Sequence, residues 1–474
     1  MRSKVNRRKF LQASAVAGAV AMSKSASAKK ETKAELVPIP DEPVTRDDYK
    51  ALKKTGEEVF TKDAVTIRGY TFHMPSSGSY PSLFAWDSGW HAIAMTRIDP
   101  KIAASEIEFL LLQQMPDGRV PHEVEFEEIK VRKSVKSVLG GMLSRDQYFP
   151  KHISVQMDPP SYMIAAEKIY AQTKDDAWVK RILPIMEKCI YWMTHTRDLF
   201  KDGLVCIVHP WESGTDSSPA YDEILHISFK TPFGAPRRMF LYPQFFTRFK
   251  HLGYDINKIA ADNVFIVEDL TVISIAIRAI ISVANLNQAV GNLDKAKALR
   301  DQAQQMMDTV DRIHWDDKAG CYFIRYDLKN PKFSKRNTCA SLLPVFTGLA
   351  KKEHVERVIH EHILNPKRYW LPYVFSFNAD DEMQHDKFYG EDVLLWRGHC
   401  IWSNMNWMIA DALNNYGYKK EARELTRRMA KMIRHEGYRE FYDYRTGQGR
   451  RAYNFGWAGL VLDMINDYWP EAVS

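Results

Sequence analysis

Four clusters along the chain combine side chains suited to acid–base chemistry with aromatic rings. The first is F-A-W-D-S-G-W-H (Phe84 to His91), followed by D-G-R-V-P-H-E (Asp117 to Glu123), and the second is Q-M-D-P-P-S-Y (Gln156 to Tyr162). The third is H-P-W-E-S-G-T-D-S-S-P-A-Y-D (His209 to Asp222). The fourth joins L-W-R-G-H-C-I-W-S-N-M-N-W (Leu395 to Trp407) to R-E-F-Y-D-Y-R-T-G-Q-G (Arg439 to Gly449). Each pairs Trp, Tyr or Phe with Asp, Glu, Gln or Arg, the mixture a sugar site needs. A pyranose packs its C–H faces on aromatic planes while its hydroxyls take polar partners around the rim. Trp86, Trp211 and Trp396 each stand beside a charged residue in a loop-like stretch, which sets them apart from tryptophans that fill a core.

The third and fourth clusters, together with W-D-S after an aromatic and Gln156 ahead of a Pro-Pro pair, resemble glycoside hydrolase family 63 and its relatives. Those relatives are the mannosylglycerate and glucosylglycerate hydrolases, with trehalase more distant. The resemblance runs from about Phe84 to Trp457, with the motifs in the same order. It implies an all-α (α/α)6 barrel with a funnel-shaped active site and an inverting glycosidase acting on a small α-linked glucoside or mannoside. It places the general acid at Asp216 and the general base at Glu440. It also places Asp87, Gln156, Glu212 and Arg397 around the sugar next to the scissile bond, with Trp86, Trp211, Trp396 and Trp457 as walls. Three stretches depart from the family pattern, and they bear on substrate more than on reaction class. They are Ala220-Tyr221 after S-P, His399-Cys400-Ile401, and Tyr444 within the Glu440 motif.

Inverting hydrolysis needs a protonated carboxyl on one face of the glycosidic bond and an ionised one on the other, about 6.5 to 9.5 Å apart. Asp216 and Glu440 are 224 positions apart, so only a closed fold brings them together. The acid must be held neutral by burial or by a neighbouring carboxylate, and Glu212 is the neighbour in sequence. Structural readings compete. Asp216 before Ser-Ser-Pro suits a helix N-cap, Asp87 suits a cap for a helix starting near Ser88, Glu440 suits a solvated loop with Glu436 or Glu424 as the base instead, and Arg397 suits a carboxylate anchor. Two functional alternatives stand beside the hydrolase. One is a silent sugar-binding protein on the same fold; the other is a lyase or epimerase on a helical toroid, which would draw on His91, His122 and His209. In His360-Glu361-His362 the imidazoles are two positions apart and read as a polar helix surface.

The elements that must carry these clusters are helical. Leu299, Ala303, Met306, Val310 and Ile313 mark one face of a helix over Lys295 to Trp315. Ala422, Leu425, Met429 and Met432 mark another, and Trp178 to Met193 a third, with a kink or boundary expected at Pro184. Leu270 to Leu286 is apolar nearly all round and reads as a fully buried helix. Half-buried and fully buried helices in alternation suggest two concentric layers, a toroid or a large irregular helical domain. Val205 to Val208 and Cys321 to Tyr326 are the strand candidates.

Composition excludes several classes. With 474 residues, 45% hydrophobic and 26% charged, the chain is globular, and residues 46–474 read as one domain. The formal charge of +7 comes largely from six bases within residues 1–28, which hold no acid. The remainder carries 60 bases against 59 acids, so nucleic acid is not the expected partner and a small carbohydrate or glycoside is. Residues 1–28 have the parts of an export signal: a basic stretch, an apolar run from Phe10 to Met22, and Ala26-Ser27-Ala28 for cleavage. N-R-R-K-F-L (Asn6 to Leu11) resembles a twin-arginine motif, which implies a periplasmic or extracellular protein exported folded, with residues 29–45 as a linker. Five cysteines without a CxxC pair predict neither a disulfide scaffold nor a zinc site, and no cofactor is expected.

Overall fold

The computed structural model describes residues 39, 41–129, 145–385 and 395–474. The expected signal, and most of the expected linker, lie outside the described residues. Among these residues the chain forms thirteen α-helices: α1 (Arg46–Asp63), α2 (Ala85–Met95), α3 (Pro100–Leu111), α4 (Ser161–Thr173), α5 (Asp176–Thr196), α6 (Gly234–His251), α7 (Ile256–Asp262), α8 (Leu270–Ala289), α9 (Leu293–Ile313), α10 (Lys352–Arg357), α11 (Ser403–Asn415), α12 (Lys419–Glu436) and α13 (Leu460–Tyr468). The chain enters α1 through a capping box, in which Thr45 Oγ1 accepts from the Asp48 N–H at 3.1 Å and Asp48 accepts from the Thr45 N–H at 2.9 Å.

Every residue of α2 is buried, and α8, α11 and α13 are buried over most of their length. These helices, with α4 and the 3₁₀ turn Leu343–Thr347, contact one another in sequence: α2 with α4, α4 with α8, α8 with the turn, the turn with α11, α11 with α13, and α13 back with α2. The amphipathic helices α3, α5, α9 and α12 pack outside α2, α4, α8 and α11, and α1 lies against α13. One hydrophobic cluster runs from Val44 to Ala472. The α2–α4 approach is close, because a Cβ on Gly89 would stand 2.5 Å from the Ser161 carbonyl carbon.

The buried helix expected over Leu270 to Leu286 is α8. Its one arginine, Arg278, reaches Glu167 on α4 at 3.1 Å and Ser282 at 2.8 Å, so the charge is matched inside the protein. The helices expected around Ala303 and Leu425 are α9 and α12. Pro184 neither ends nor divides α5, which runs on from Asp176 to Thr196. Strand is more widespread than the sequence pattern predicts. Val205 to Val208 contributes only a bridge from Ile207 to Val267, and the hairpin Ala64–Ile67/Tyr70–His73 gives little apolar alternation to detect. His362 is also not a surface residue. It is buried against Asn337 and the Ala319 carbonyl, and burial holds its imidazole down at about 4. All five cysteines are buried.

The contact between α13 and α2 closes the run of inner elements, and it is made by charge as well as by packing. Asp463 on α13 is fully buried. It accepts from Trp407 Nε1 of α11 at 2.8 Å, from Lys168 Nζ of α4 at 2.9 Å and from Arg97, just beyond α2, at 2.7–2.9 Å. Burial opposes its ionisation, but Lys168 and Arg97 more than offset this and hold the carboxyl below its ordinary range. Asp463→Asn therefore leaves two cations with the exposed Asp467 as their remaining acidic partner. The expected cost is about 2–3 kcal/mol, near the lower end for breaking a buried pair, read as a lower urea midpoint with an unchanged slope.

Candidate active site

The first two clusters are joined by backbone. Strand β1 (Leu83–Phe84) pairs antiparallel with β2 (Glu123–Val124), the Ala85 N–H donates to the His122 carbonyl at 3.0 Å, and the His122 N–H donates to the Gln156 carbonyl at 3.0 Å. Asp158, just before α4, accepts from the Trp86 N–H at 3.0 Å and lies 2.6 Å from His122 Nδ1. The third cluster docks on this layer. A Cβ on Gly214 would stand 2.8 Å from the Trp86 ring, so the αL backbone there (φ 68°) lies directly against the indole, a position open to glycine.

The fourth cluster is a three-stranded sheet, in which β3 (Cys400–Ile401) pairs with β4 (Arg439–Asp443) and β4 with β5 (Gly449–Tyr453). The β4–β5 register shifts between Arg439 and Phe441, so Glu440 sits at the irregularity, where a bulge re-aims a side chain. Glu440 is therefore a buried strand residue and not a solvated loop acid. Its Oε1 accepts from the Tyr80 hydroxyl at 2.9 Å, its Oε2 accepts from the Ala452 N–H at 3.1 Å, and Arg451 Nε lies 3.8 Å away. Trp457 Nε1 donates to the Glu440 carbonyl at 2.8 Å, and Trp396 stacks flat on Trp402 at 3.7 Å beside it. Trp396 holds φ at 64°, an uncommon conformation for a bulky residue.

Asp216 is half-buried and caps no helix, since Ser218 caps the short turn Pro219–Tyr221 that follows. Its backbone carbonyl accepts from the Tyr242 hydroxyl at 2.5 Å. Burial pushes the Asp216 carboxyl up, against Arg238, His122 and Arg451. Burial likewise pushes Glu440 up, against Arg451 and the hydrogen bonds from Ala452 and Tyr80. Both carboxyls act on the same groups. Each raises Asp87 and Tyr80, and Arg451 lowers both, so the fold brings the two distant residues to one place.

Asp87 lies in the first turn of α2, whose N-cap is Phe84, so it does not cap the helix. Burial raises its carboxyl well above the usual range, and Asp158 adds to this. Asp87 Oδ1, both amide atoms of Gln156 and the Trp86 indole nitrogen are buried without a hydrogen-bond partner among the described residues. Buried polar atoms are nearly always paired, and four unpaired ones on neighbouring segments are what hydroxyls of a ligand would complete.

Two expected sugar ligands are held by partners within the protein. Glu212 accepts from Arg197 at 2.5 and 2.8 Å, from the Val208 N–H at 2.8 Å and from the Met157 N–H at 3.4 Å, so both its oxygens are spent fixing the loop. It is not the neighbour that holds Asp216 neutral; burial is. Arg397 is anchored on Asp222 and lies 3.8 Å over the Phe229 ring, the carboxylate-anchor reading. Trp211 is half-buried against His209 and Phe246, next to Tyr242. Glu424 pairs with Arg427 and Arg428, and Glu436 accepts from the Gly449 N–H, so neither replaces Glu440. Sequence reasoning missed Tyr80, Asp158, Arg238, Tyr242 and Arg451. Of these, only Asp158 lay inside a cluster already marked.

A family profile for the mannosylglycerate hydrolase MGH1-like glycoside hydrolase domain matches residues 80–458. The mannosylglycerate hydrolase of Thermus thermophilus is 28% identical over 419 residues, 82% of this chain and 95% of that one. Mannosylglycerate hydrolase MGH1 of Selaginella moellendorffii is 27% identical, covering 83% and 81%. A crystal structure of the family 63 mannosylglycerate hydrolase from Thermus thermophilus, in complex with Tris and D-glycerate, superposes with a TM-score of 0.73 at 27% identity, over 88% of this chain and all of that one. The chain therefore belongs to the mannosylglycerate hydrolase-like glycoside hydrolases of family 63, and it is a glycoside hydrolase.

Proposed function

We propose that the chain hydrolyses a small α-linked glucoside or mannoside with inversion at the anomeric carbon. In this reading the inner elements form an (α/α)6 toroid, residues 46–474 work as one domain, and the protein is exported by its twin-arginine signal. The observation that carries the sugar reading is the set of unpartnered buried polar atoms on Asp87, Gln156 and Trp86, set beside two carboxyls raised by burial. Asp216 donates its proton to the leaving oxygen. Glu440, oriented by Tyr80 and the Ala452 N–H, takes a proton from water on the opposite face. Trp86, Trp396 and Trp457 wall the sugar, and Trp211 lies on the Asp216 side.

A lyase or epimerase built on histidine is less well supported. His209 accepts from the Trp211 N–H at 3.1 Å and faces the Tyr242 carbonyl with its other nitrogen, and burial holds it neutral at about 3. His91 sits behind the site, 3.6 Å from the buried Glu106.

The direct test is product release from α-glucosides and α-mannosides, including glycerate conjugates and disaccharides, with the product anomer followed by NMR. Asp216→Asn and Glu440→Gln are each expected to lower kcat by about 10²–10⁴-fold. Retained configuration, or full activity in either variant, would sink the assignment.

Arg451 gives a pH test. Activity requires Glu440 ionised and Asp216 protonated, so kcat/KM falls on the acid side as Glu440 gains a proton and on the alkaline side as Asp216 loses one. Arg451 lowers both carboxyls. Arg451→Met should therefore move both limbs to higher pH, by up to about one unit for a partly exposed cation. A profile that stays put would remove Arg451 from the site's electrostatics.

A further inference from the structure

Tyr221 is one of the positions at which the chain departs from the family pattern, and the two-carboxyl mechanism gives it no role. It is nevertheless buried at the end of the segment that carries Asp216. That segment is a pair of hydrogen-bonded turns in series. The Ser218 N–H donates to the Thr215 carbonyl at 2.9 Å, which encloses Asp216, and the Tyr221 N–H donates to the Ser218 carbonyl at 3.1 Å. From there the Tyr221 hydroxyl donates to Asp269 Oδ2 at 2.7 Å, while its ring stands edge-on to Phe265 at 5.5 Å. The other oxygen of Asp269 caps α8, accepting from the Thr271 N–H at 2.9 Å and from the Val272 N–H at 3.2 Å. One buried carboxylate thus ties the turns to the start of a helix that is itself buried over most of its length.

The tie reaches both ends of the segment. Thr215, which opens the first turn, has its hydroxyl 3.5 Å from that of Tyr221 and 3.0 Å from that of Ser213. With its hydrogen given to Asp269, the Tyr221 oxygen faces Thr215 as an acceptor. The Asp216 carbonyl is held by the Tyr242 hydroxyl at 2.5 Å, but its carboxyl accepts no hydrogen bond from a neighbouring residue among those described. A carboxyl without a clasp of its own is aimed by its backbone, and that backbone is fixed from Tyr221. We propose that Tyr221, anchored on Asp269, is the positioning residue of Asp216, setting the turn from which the acid reaches the leaving oxygen. The assignment rests on the glycosidase reading above, in which Asp216 is the acid. Tyr221 acts through the turn and not on the substrate.

Fluoride leaves an anomeric carbon with little help from a proton donor, whereas an alcohol needs one. A misplaced acid therefore shows on glycosides with an alcohol leaving group and spares the glycosyl fluorides. Wild type, Tyr221→Phe, Asp269→Ser, the double variant and Asp216→Asn are compared on α-D-glucosyl and α-D-mannosyl fluoride and on the α-linked glycerate conjugates of the same sugars. Phe keeps the packing on Phe265, and Ser keeps a cap on α8 but is too short to reach Tyr221. Each single variant is expected to lower kcat on the better conjugate by about 10- to 100-fold, the scale for a displaced catalytic group, with KM and the fluoride rate unchanged. The double variant should lose no more than either single one, because the same bond is removed in all three. Full kcat on the conjugate in Tyr221→Phe overturns the proposal, as does a loss on the fluoride equal to that on the conjugate, which a merely structural role would give. If Asp216→Asn loses the fluoride as heavily as the conjugate, Asp216 is not the acid, and the positioning role falls with it. A wild-type protein that cleaves none of the four substrates overturns the glycosidase reading as stated, and this assignment with it.

Discussion

The structure depends on one buried carboxylate that joins the end of the chain to its beginning. Asp463 on α13 takes hydrogen bonds from α11, from α4 and from the residue that follows α2 by two positions. Apolar packing alone would let these helices slide, since burial is non-directional, whereas three donors converging on one carboxyl fix their relative depth. Such a cluster adds little net stability, because desolvating the charges consumes most of the Coulombic gain. What it adds is position. Glu440 follows α12 and Tyr80 precedes α2, so the 2.9 Å bond between them exists only if the two ends of the chain meet in a fixed register.

That closure creates an electrostatic problem, which the site's own residues moderate. Asp87, Asp158, Asp216 and Glu440 all lie where burial penalises ionisation, and all four are raised. His122 answers Asp158 directly, and Arg451 and Arg238 temper the other charges. The four groups differ in what they touch. Glu440 receives two hydrogen bonds that favour its ionised form, and Asp216 receives none at its carboxyl from a neighbouring residue among those described. The contrast between them lies in these hydrogen bonds, since burial raises both carboxyls alike.

The parts of this arrangement legible in the sequence are those carried by periodicity or by contiguous motif. The buried α8 and the amphipathic faces of α9 and α12 follow from residues near one another in the chain, as does the family membership carried by the motifs around Asp216 and Glu440. Pro184 misleads because a proline costs a helix one hydrogen bond and some strain, and the packing of α5 on α4 and α8 outweighs that. Most of the two-residue strands carry no alternation to read, the exception being Cys321 to Tyr326, which holds two of them. Glu212 misleads because sequence shows its neighbour Asp216 but not Arg197, which arrives from the end of α5. Tyr80 and Arg451 owe their roles to the closure of the ring and to one register shift, and neither leaves a mark in local composition.

The irregular backbone of the site shows why so much helix surrounds so few working residues. Trp396 and Arg451 sit at positive φ, Gly214 turns in the left-handed region, and β4 breaks register at Glu440. For Trp396 and Arg451 that conformation costs free energy and persists only where the surroundings over-determine it. Those surroundings are specific. Trp396 is pinned by its stack on Trp402, which also packs on Phe441 at 4.9 Å and on Trp457 at 5.6 Å, and Trp457 in turn bonds the Glu440 carbonyl. The aromatic group is thus at once a candidate sugar wall and the brace of Glu440. Under the proposed mechanism, a substitution among these tryptophans would disturb Glu440 as well as sugar binding, and a loss of kcat there would not by itself identify a substrate contact.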